Sequence, residues 1–241
     1  LFFSGRRFLC NLHKGIPDAV KDTANRGKEK VIMTKKIVCL GDSITYGYGA
    51  YPEDAWPART GALTGLSLMN CGVNGDTAAG MLWRFYEDVV EKQPDICIIM
   101  AGANDLLNGR SPEETADTVK AITEKAKRYG IVPAVATPVN IDRKQLYTGW
   151  PSARGPKDTE KMFSILAQKL RAFDKDGIRV MDVQTEYRKR MEKCRPYGPW
   201  YQDGVHPTRE GYHILGEIFA GFIQAYGWCS HRCADMFRLT E

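Results

Sequence analysis

The segment KKIVCLGDSITYGYG, residues 35–49, leads from a short apolar run into a loop that carries a serine. Residues 36–41 have the length and composition of a buried β-strand, and Gly41 permits a sharp turn at its end. Ser43 therefore follows a strand closely, in a position where its hydroxyl can stand exposed at the end of a sheet. Taken alone, this loop fits a nucleophilic serine, a helix cap and a phosphate-binding turn about equally well.

Apolar runs of the same kind recur at residues 66–73, 95–102, 132–139 and 178–183. Helical periodicity fills the intervals between them. This alternation predicts an α/β domain in which a five-stranded, mostly parallel sheet is covered by helices on both faces. Ligands of such folds bind at the carboxyl ends of the strands, so we expect function in the loops that follow the strands.

Capping residues predict where three of the helices begin. Asp76 is placed to cap a helix that starts after the second strand, and Thr208 precedes the last amphipathic helix. Ser111 and Glu114 form a capping-box pattern between these two. These capping residues mark the end of each polar loop, where the next helix begins.

The loops after the second and third predicted strands offer hydrogen-bond donors suited to an oxyanion. The first, GVNGDT at residues 72–77, has a glycine-rich backbone around Gly75, and the second, GAND at residues 102–105, carries the side-chain amide of Asn104. Acyl transfer requires donors of this kind at the developing negative charge. Glycine and asparagine are also common turn formers, so it is their order after successive strands that favours chemistry.

A histidine and an aspartate precede the last helix in the segment YQDGVHPTREG. Asp203 lies three residues before His206, and such a turn can fold back so that the carboxylate orients the imidazole. An ordinary surface pair is the alternative interpretation. A serine needs a base of this kind to act as a nucleophile, because its hydroxyl is barely ionised at neutral pH.

Four segments together resemble the sequence blocks of the SGNH hydrolases, also called GDSL lipases and esterases. They are GDSIT at 41–45, GVNGDT at 72–77, GAND at 102–105 and DGVHP at 203–207, and the match spans residues 36 to about 226. The only departure is GDSI in place of GDSL. The resemblance implies a flavodoxin-like three-layer α/β/α fold and ester hydrolysis with neither a metal nor an organic cofactor.

The family's roles transfer to matching positions of this chain. Ser43 would be the nucleophile, His206 the general base, and Asp203 the residue that orients His206. The oxyanion donors would be the backbone N–H groups of Ser43 and Gly75 and the side chain of Asn104. Within the family, the chain looks most like small bacterial esterases of the thioesterase and lysophospholipase type.

Two loops of unusual composition, residues 140–157 and 191–203, are candidates for the substrate-binding rim. Aromatic side chains with a polar tip suit a half-exposed pocket wall. Ordinary loop packing is the alternative. The candidates are Tyr147, Trp150, Tyr197, Trp200 and Tyr201.

The sequence predicts one globular domain at residues 34–227, between a flexible leader at 1–33 that need not be native and a tail at 228–241. Four of the five net positive charges lie in the leader, which argues against a nucleic-acid surface on the folded domain. No run of eighteen apolar residues is present, so we expect no stable membrane insertion. A homo-oligomer is compatible with the composition.

Cysteine usage favours a reducing, cytoplasmic location. Cys39, Cys71 and Cys97 lie in apolar, strand-like runs, where a thiol behaves as a small hydrophobe. The tail residues Cys229, His231 and Cys233 lack the second ligand pair of a zinc ribbon, so no metal is expected.

Three functions remain open from the sequence. The leading hypothesis is a serine hydrolase that acts on small soluble esters or thioesters through an acyl-enzyme. A carbohydrate acetylesterase would use the same residues with a different rim, and a binding module would keep the fold without turnover. A phosphate-binding protein is disfavoured, because GDSITYG lacks the lysine of a phosphate-binding loop.

Overall fold

Five parallel strands form the centre of the computed structural model, which describes residues 35–146, 155–193 and 200–229. The strands are β1 (Lys36–Gly41), β2 (Ser67–Gly72), β3 (Ile96–Met100), β4 (Val132–Ala136) and β5 (Arg179–Met181). Their order in the sheet is β2-β1-β3-β4-β5, and every neighbouring pair is parallel. This is the flavodoxin-like order. The α/β prediction is confirmed, with a sheet that is wholly rather than mostly parallel.

Helices connect these strands. They are α1 (Ser43–Tyr46), α2 (Trp56–Thr64), α3 (Ala78–Trp83), α4 (Phe85–Asp88), α5 (Ala103–Leu107), α6 (Pro112–Arg128), α7 (Arg143–Leu146), α8 (Pro156–Arg171), α9 (Val183–Lys193) and α10 (Arg209–Ala225), with short 3-10 turns at Pro52–Asp54, Val90–Lys92 and Ala172–Asp176. Among the residues described here, no helix combines the length and the apolar composition needed to cross a membrane. The leader predicted at 1–33, together with His231 and Cys233, lies outside the described residues.

Strand side chains alternate between two hydrophobic cores, one on each face of the sheet. Val38 and Leu40 of β1 belong to the core covered by α3 to α6 and α8. Ile37 belongs to the core covered by α2, α9 and α10, in which the rings of Trp56 and Phe219 stack with centroids 3.7 Å apart. The alternation buries both faces of the sheet, which explains why the strand sequences are apolar throughout.

Two of the three predicted helix caps are confirmed. At the start of α6, Ser111 Oγ accepts from the Glu114 N–H at 3.2 Å while the Glu114 carboxylate accepts from the Ser111 N–H at 3.2 Å, which is the reciprocal capping box. At the start of α10, Thr208 Oγ1 accepts from the Gly211 N–H at 3.3 Å. Both helices thus begin where local side-chain bonds satisfy their first N–H groups.

The third predicted cap, Asp76, is wrong. Thr77 caps α3 by accepting from the Gly80 N–H at 3.2 Å, and the carboxylate of Asp76 turns instead to the guanidinium of Arg84. The helical segment after β2 is divided at Arg84 into α3 and α4. The charged pair therefore removes Asp76 from the helix start and places it inside the loop after β2.

The register of the sheet brings three loops to one level. Gly41, the last residue of β1, lies opposite Gly72 at the end of β2 and Met100 at the end of β3. The segments that follow these residues begin with Asp42, Val73 and Ala101. All three polar loops singled out by the sequence therefore emerge at the same edge of the sheet.

Candidate active site

Ser43 is the first residue of the one-turn helix α1, two positions beyond β1. Asp42 accepts from the Ile44 N–H through its carboxylate at 2.9 Å, which fixes the start of the turn. Gly47 ends the turn at φ 94° and donates its N–H to the Ser43 carbonyl at 3.0 Å, a backbone conformation that favours glycine. A helix this short is held at both ends, so the Ser43 hydroxyl has a defined position.

A continuous hydrogen-bonded chain joins Ser43, His206 and Asp203. The Ser43 Oγ lies 2.9 Å from Nε2 of His206, and Nδ1 of the same ring lies 2.7 Å from Oδ2 of Asp203. A proton on Nδ1 satisfies the carboxylate and leaves the Nε2 lone pair facing the hydroxyl. The structure thus brings all three predicted catalytic residues together, in the geometry that activates a serine.

Asp203 is itself fixed by the turn that it shares with His206. Its Oδ1 accepts from the backbone N–H groups of Val205 at 2.9 Å and His206 at 2.8 Å. Partial burial would raise the pKa of Asp203, but the hydrogen bonds from His206 and Val205 outweigh burial and lower it. The carboxylate therefore stays ionised beside the imidazole at neutral and mildly acidic pH.

The loop after Ser43 also holds the histidine loop. The Tyr48 ring lies over the imidazole of His206, with centroids 4.4 Å apart. The Tyr48 carbonyl accepts from Gln202 Nε2 at 3.1 Å and from the Tyr212 hydroxyl at 3.1 Å. Sequence reasoning missed these contacts. The position of Tyr48 in the glycine-rich loop after Ser43 was the one available signal, and none pointed to Gln202.

The two other predicted oxyanion donors lie in adjoining loops. Asn104, in the first turn of α5, donates from Nδ2 to the Asp76 carbonyl at 2.8 Å. Gly75, the residue before Asp76, is exposed and has φ 75°, which the absence of a side chain permits. The Asn104 amide has a second N–H to offer. The oxyanion roles of Ser43, Gly75 and Asn104 remain predictions.

Two buried carboxylates, Asp42 and Asp105, lie in the loops of the candidate site. Asp105 accepts from the Ala78 N–H at 2.8 Å and so joins α5 to the start of α3. Burial raises the pKa of Asp105. Burial likewise raises the pKa of Asp42 to about 7, against the bond from Ile44 and with a smaller contribution from the charges of Asp76 and Asp105.

The raised pKa of Asp42 predicts a pH-dependent cost to stability. Between pH 3.8 and about 7 the folded chain holds a proton at Asp42 that the unfolded chain has released, so stability falls as pH rises through this window. The cost approaches about 4 kcal/mol above pH 7. Asp42→Asn keeps an oxygen that accepts from the Ile44 N–H and removes the ionisable group. The unfolding free energy of this variant, relative to that of the wild type, should therefore increase between pH 4 and pH 8.

Urea unfolding at several pH values measures this difference. The control is Asp176→Asn, which removes a charge from an exposed pair with Lys120 and should follow the wild-type curve. If the unfolding free energies of Asp42→Asn and the wild type changed with pH in parallel, the Asp42 carboxyl would not be held protonated in the folded protein.

The predicted aromatic rim is only partly described. Tyr147, Trp150 and Tyr197 lie outside the described residues. Trp200 is half-buried, and its carbonyl accepts from the Thr208 N–H at 3.0 Å. Tyr201 corrects the expectation of a half-exposed wall, because it is 4% exposed and its hydroxyl donates to the Asn140 carbonyl. Both residues support the segment that carries His206.

Comparison with known proteins adds independent information. The model of the GDSL-like Lipase/Acylhydrolase family matches residues 39–214. The chain is 25% identical over 191 residues to Thioesterase 1/protease 1/lysophospholipase L1 of Escherichia coli strain K12, covering 78% of this chain and 83% of that protein. The matched range of the family model includes Ser43, Gly75, Asn104, Asp203 and His206.

Solved structures are similar over most of the chain. A lipolytic protein of the G-D-S-L family from Desulfitobacterium hafniense is 28% identical with a TM-score of 0.64, covering 78% of this chain and 99% of that one. The acetylxylan esterase Axe2 from Geobacillus stearothermophilus is 20% identical with a TM-score of 0.64, covering 78% of this chain and 94% of that one. At that identity, the likeness to Axe2 concerns the fold alone.

Proposed function

This chain belongs to the GDSL-like lipase/acylhydrolase family, and from that premise we propose that it is a serine hydrolase of small carboxylic esters or thioesters. The observation that carries the proposal is the 2.9 Å contact between Ser43 Oγ and His206 Nε2, continued to Asp203. A solvated surface histidine would not be 4% exposed with both ring nitrogens engaged in this way. The proposed route passes through a covalent acyl-enzyme.

In the first half of the reaction, His206 Nε2 takes the Ser43 proton as Oγ attacks the carbonyl carbon. The imidazolium that forms is stabilised by the Asp203 carboxylate. The carbonyl oxygen becomes negative, and N–H groups of the loops after the strands would stabilise it. Collapse of the tetrahedral intermediate breaks the bond to the alcohol or thiol, which receives the proton from His206, and leaves Ser43 acylated.

The second half repeats these steps with water as the nucleophile. His206 takes a proton from water, the resulting hydroxide attacks the acyl carbon, and the proton passes to Ser43 Oγ as the acid departs. No residue changes its net protonation over the cycle. Apart from the substrate and one water, the proposed cycle uses only Ser43, His206, Asp203 and the oxyanion donors.

We expect the protein to release p-nitrophenol from p-nitrophenyl esters, with a chain-length profile from acetate to decanoate that measures the acyl site. Parallel assays with an acyl thioester and an acetylated xylooligosaccharide separate the thioesterase and carbohydrate-esterase alternatives. A fluorophosphonate should label Ser43, detected as a modified peptide by mass spectrometry, because it captures an activated serine. The same protein unfolded in urea is the control for nonspecific labelling.

Preference for the acetylated sugar over every aryl ester and thioester would support the carbohydrate-esterase alternative. A chain that neither hydrolyses any of these substrates nor reacts with the fluorophosphonate would contradict the hydrolase proposal and support the binding module.

A further inference from the structure

Arg84 connects the backbone beneath the two loops that form the candidate site. Its Nη2 donates to the Gly41 carbonyl at 2.8 Å and its Nη1 to the Cys71 carbonyl at 2.9 Å. Its Nε donates to Asp76 Oδ2 at 2.7 Å, and Nη1 also bonds the carboxylate of Asp88. The side chain is 14% exposed. One planar guanidinium thus fixes two backbone carbonyls and two carboxylates.

These partners are the attachment points of the catalytic loops. Gly41 is the last residue of β1, and Ser43 begins α1 two residues later. Cys71 is one residue from the end of β2, just before the loop that contains Gly75. Because Arg84 binds both carbonyls at once, it ties the loop that carries Ser43 to the loop that contains Gly75, in addition to the pairing of β1 with β2.

The contact network continues from Arg84 to Asn104. Asp76, which Arg84 binds through Oδ2, accepts from its neighbour Thr77 N–H through Oδ1 at 2.8 Å. The carbonyl of the same Asp76 accepts the Asn104 amide at 2.8 Å. Gly80 leaves the room that this carboxylate occupies, since a methyl group there would collide with Oδ1. The orientation of the Asn104 amide therefore depends on Asp76, and the position of Asp76 on Arg84.

We propose that Arg84 is a positioning residue that holds Gly75 and Asn104 at the correct distance from Ser43 for oxyanion stabilisation. This inference rests on the proposed function. Arg84 touches no reacting atom in this role. It acts through Asp76 and through the carbonyls of Gly41 and Cys71.

Replacement of Arg84 should reduce transition-state stabilisation more than substrate binding. In Arg84→Lys a single ammonium cannot reproduce the planar fork, and in Arg84→Gln the charge is also lost. Misplacement of a reacting group by about 1 Å can cost about 100-fold in rate, so kcat should fall by about 10- to 100-fold. KM should stay within about twofold, because ground-state binding is left in place. Affinity for a trifluoromethyl ketone, which forms a tetrahedral adduct, should fall by the same factor as kcat.

Asp88→Asn is the matched control. It removes the charge of one carboxylate partner of Arg84, and the Arg84 donors to Gly41, Cys71 and Asp76 remain. We expect its kcat to stay within about twofold of the wild type. Circular dichroism and thermal unfolding of each variant establish that it is folded at the assay temperature.

Gly80→Ala provides a second test if the Arg84 variants do not fold. It leaves Arg84 unchanged and displaces the Asp76 carboxylate, so it should also lower kcat with little change in KM. A folded Arg84→Lys or Gly80→Ala variant with wild-type kcat would overturn the proposal, as would an equal loss in Asp88→Asn. An inactive wild type would instead overturn the proposed function, and the role of Arg84 with it.

Discussion

Ser43→Ala is expected to lower kcat for p-nitrophenyl esters by at least about 10⁴-fold, because it removes the oxygen proposed to attack the carbonyl carbon. Residual turnover would come from binding and from oxyanion donors alone, as in serine hydrolases that lose the nucleophile. The measurement is steady-state hydrolysis of the best ester in the chain-length series. Fluorophosphonate labelling should disappear in the same variant.

Ser111→Ala is the control, because it makes the same serine-to-alanine change at a position distant from the candidate site. Ser111 caps α6 through Glu114, so its loss should reduce the unfolding free energy by about 1 kcal/mol and leave kcat unchanged. If Ser43→Ala retained more than a tenth of the wild-type kcat, the acyl-enzyme route through this residue would be excluded.

Asp203→Asn should reduce kcat by about 10³- to 10⁴-fold at neutral pH. Three donors now bind the carboxylate, namely Nδ1 of His206 and the N–H groups of Val205 and His206. An amide offers one acceptor oxygen and a donating NH₂ group, so the proton of the imidazole is driven to Nε2, the nitrogen that must accept from Ser43. Steady-state kinetics between pH 6 and pH 9 measures the loss.

The matched control is again Asp176→Asn, since Asp176 is an exposed carboxylate paired with Lys120 at 3.1 Å. Its kcat should equal that of the wild type. A loss smaller than about tenfold in Asp203→Asn would show that the carboxylate does not set the tautomer of His206.

Local spacing and the resemblance to the SGNH sequence blocks together predicted that Ser43, Asp203 and His206 would meet; their catalytic roles remain predictions. Ser43 follows a strand that apolar composition identifies, and Asp203 meets His206 within a single turn, where three residues of separation allow the contact. The sheet also followed from composition, because a parallel strand buried on both faces has a continuous apolar sequence. The predicted strand ends differ from those in the structure by a few residues, because the apolar runs extend beyond the residues that pair in the sheet.

The role of Arg84 could not be predicted from spacing. Two of its partners are backbone carbonyls, which every residue possesses, and one of them lies 43 residues away in the chain. Another contact of Arg84 explains the misassigned helix cap. Asp76 and Thr77 are adjacent capping candidates, and the ion pair of Asp76 with Arg84, eight residues further along, leaves the helix start to Thr77.

Tyr201 shows a similar limit for aromatic residues. The aromatic composition of its loop suggested a pocket wall. In the structure, however, the Tyr201 ring packs edge-on against the Tyr187 ring, with centroids 6.0 Å apart. A tyrosine fits the solvent-exposed rim of a pocket, but it fits a buried position equally well if its hydroxyl finds one hydrogen-bond acceptor there. Sequence alone does not reveal whether an acceptor such as the Asn140 carbonyl is within reach.

The Ser43 to His206 contact joins residues 163 positions apart. Closing so long a loop is entropically costly, and contacts of high sequence separation slow folding. The histidine loop leads directly into α10, which packs on α2 through the stacked rings of Trp56 and Phe219. The proposed hydrolysis therefore cannot begin on a growing chain until His206 has left the ribosome, and recovery of activity during refolding would report that the two distant halves of the site have met.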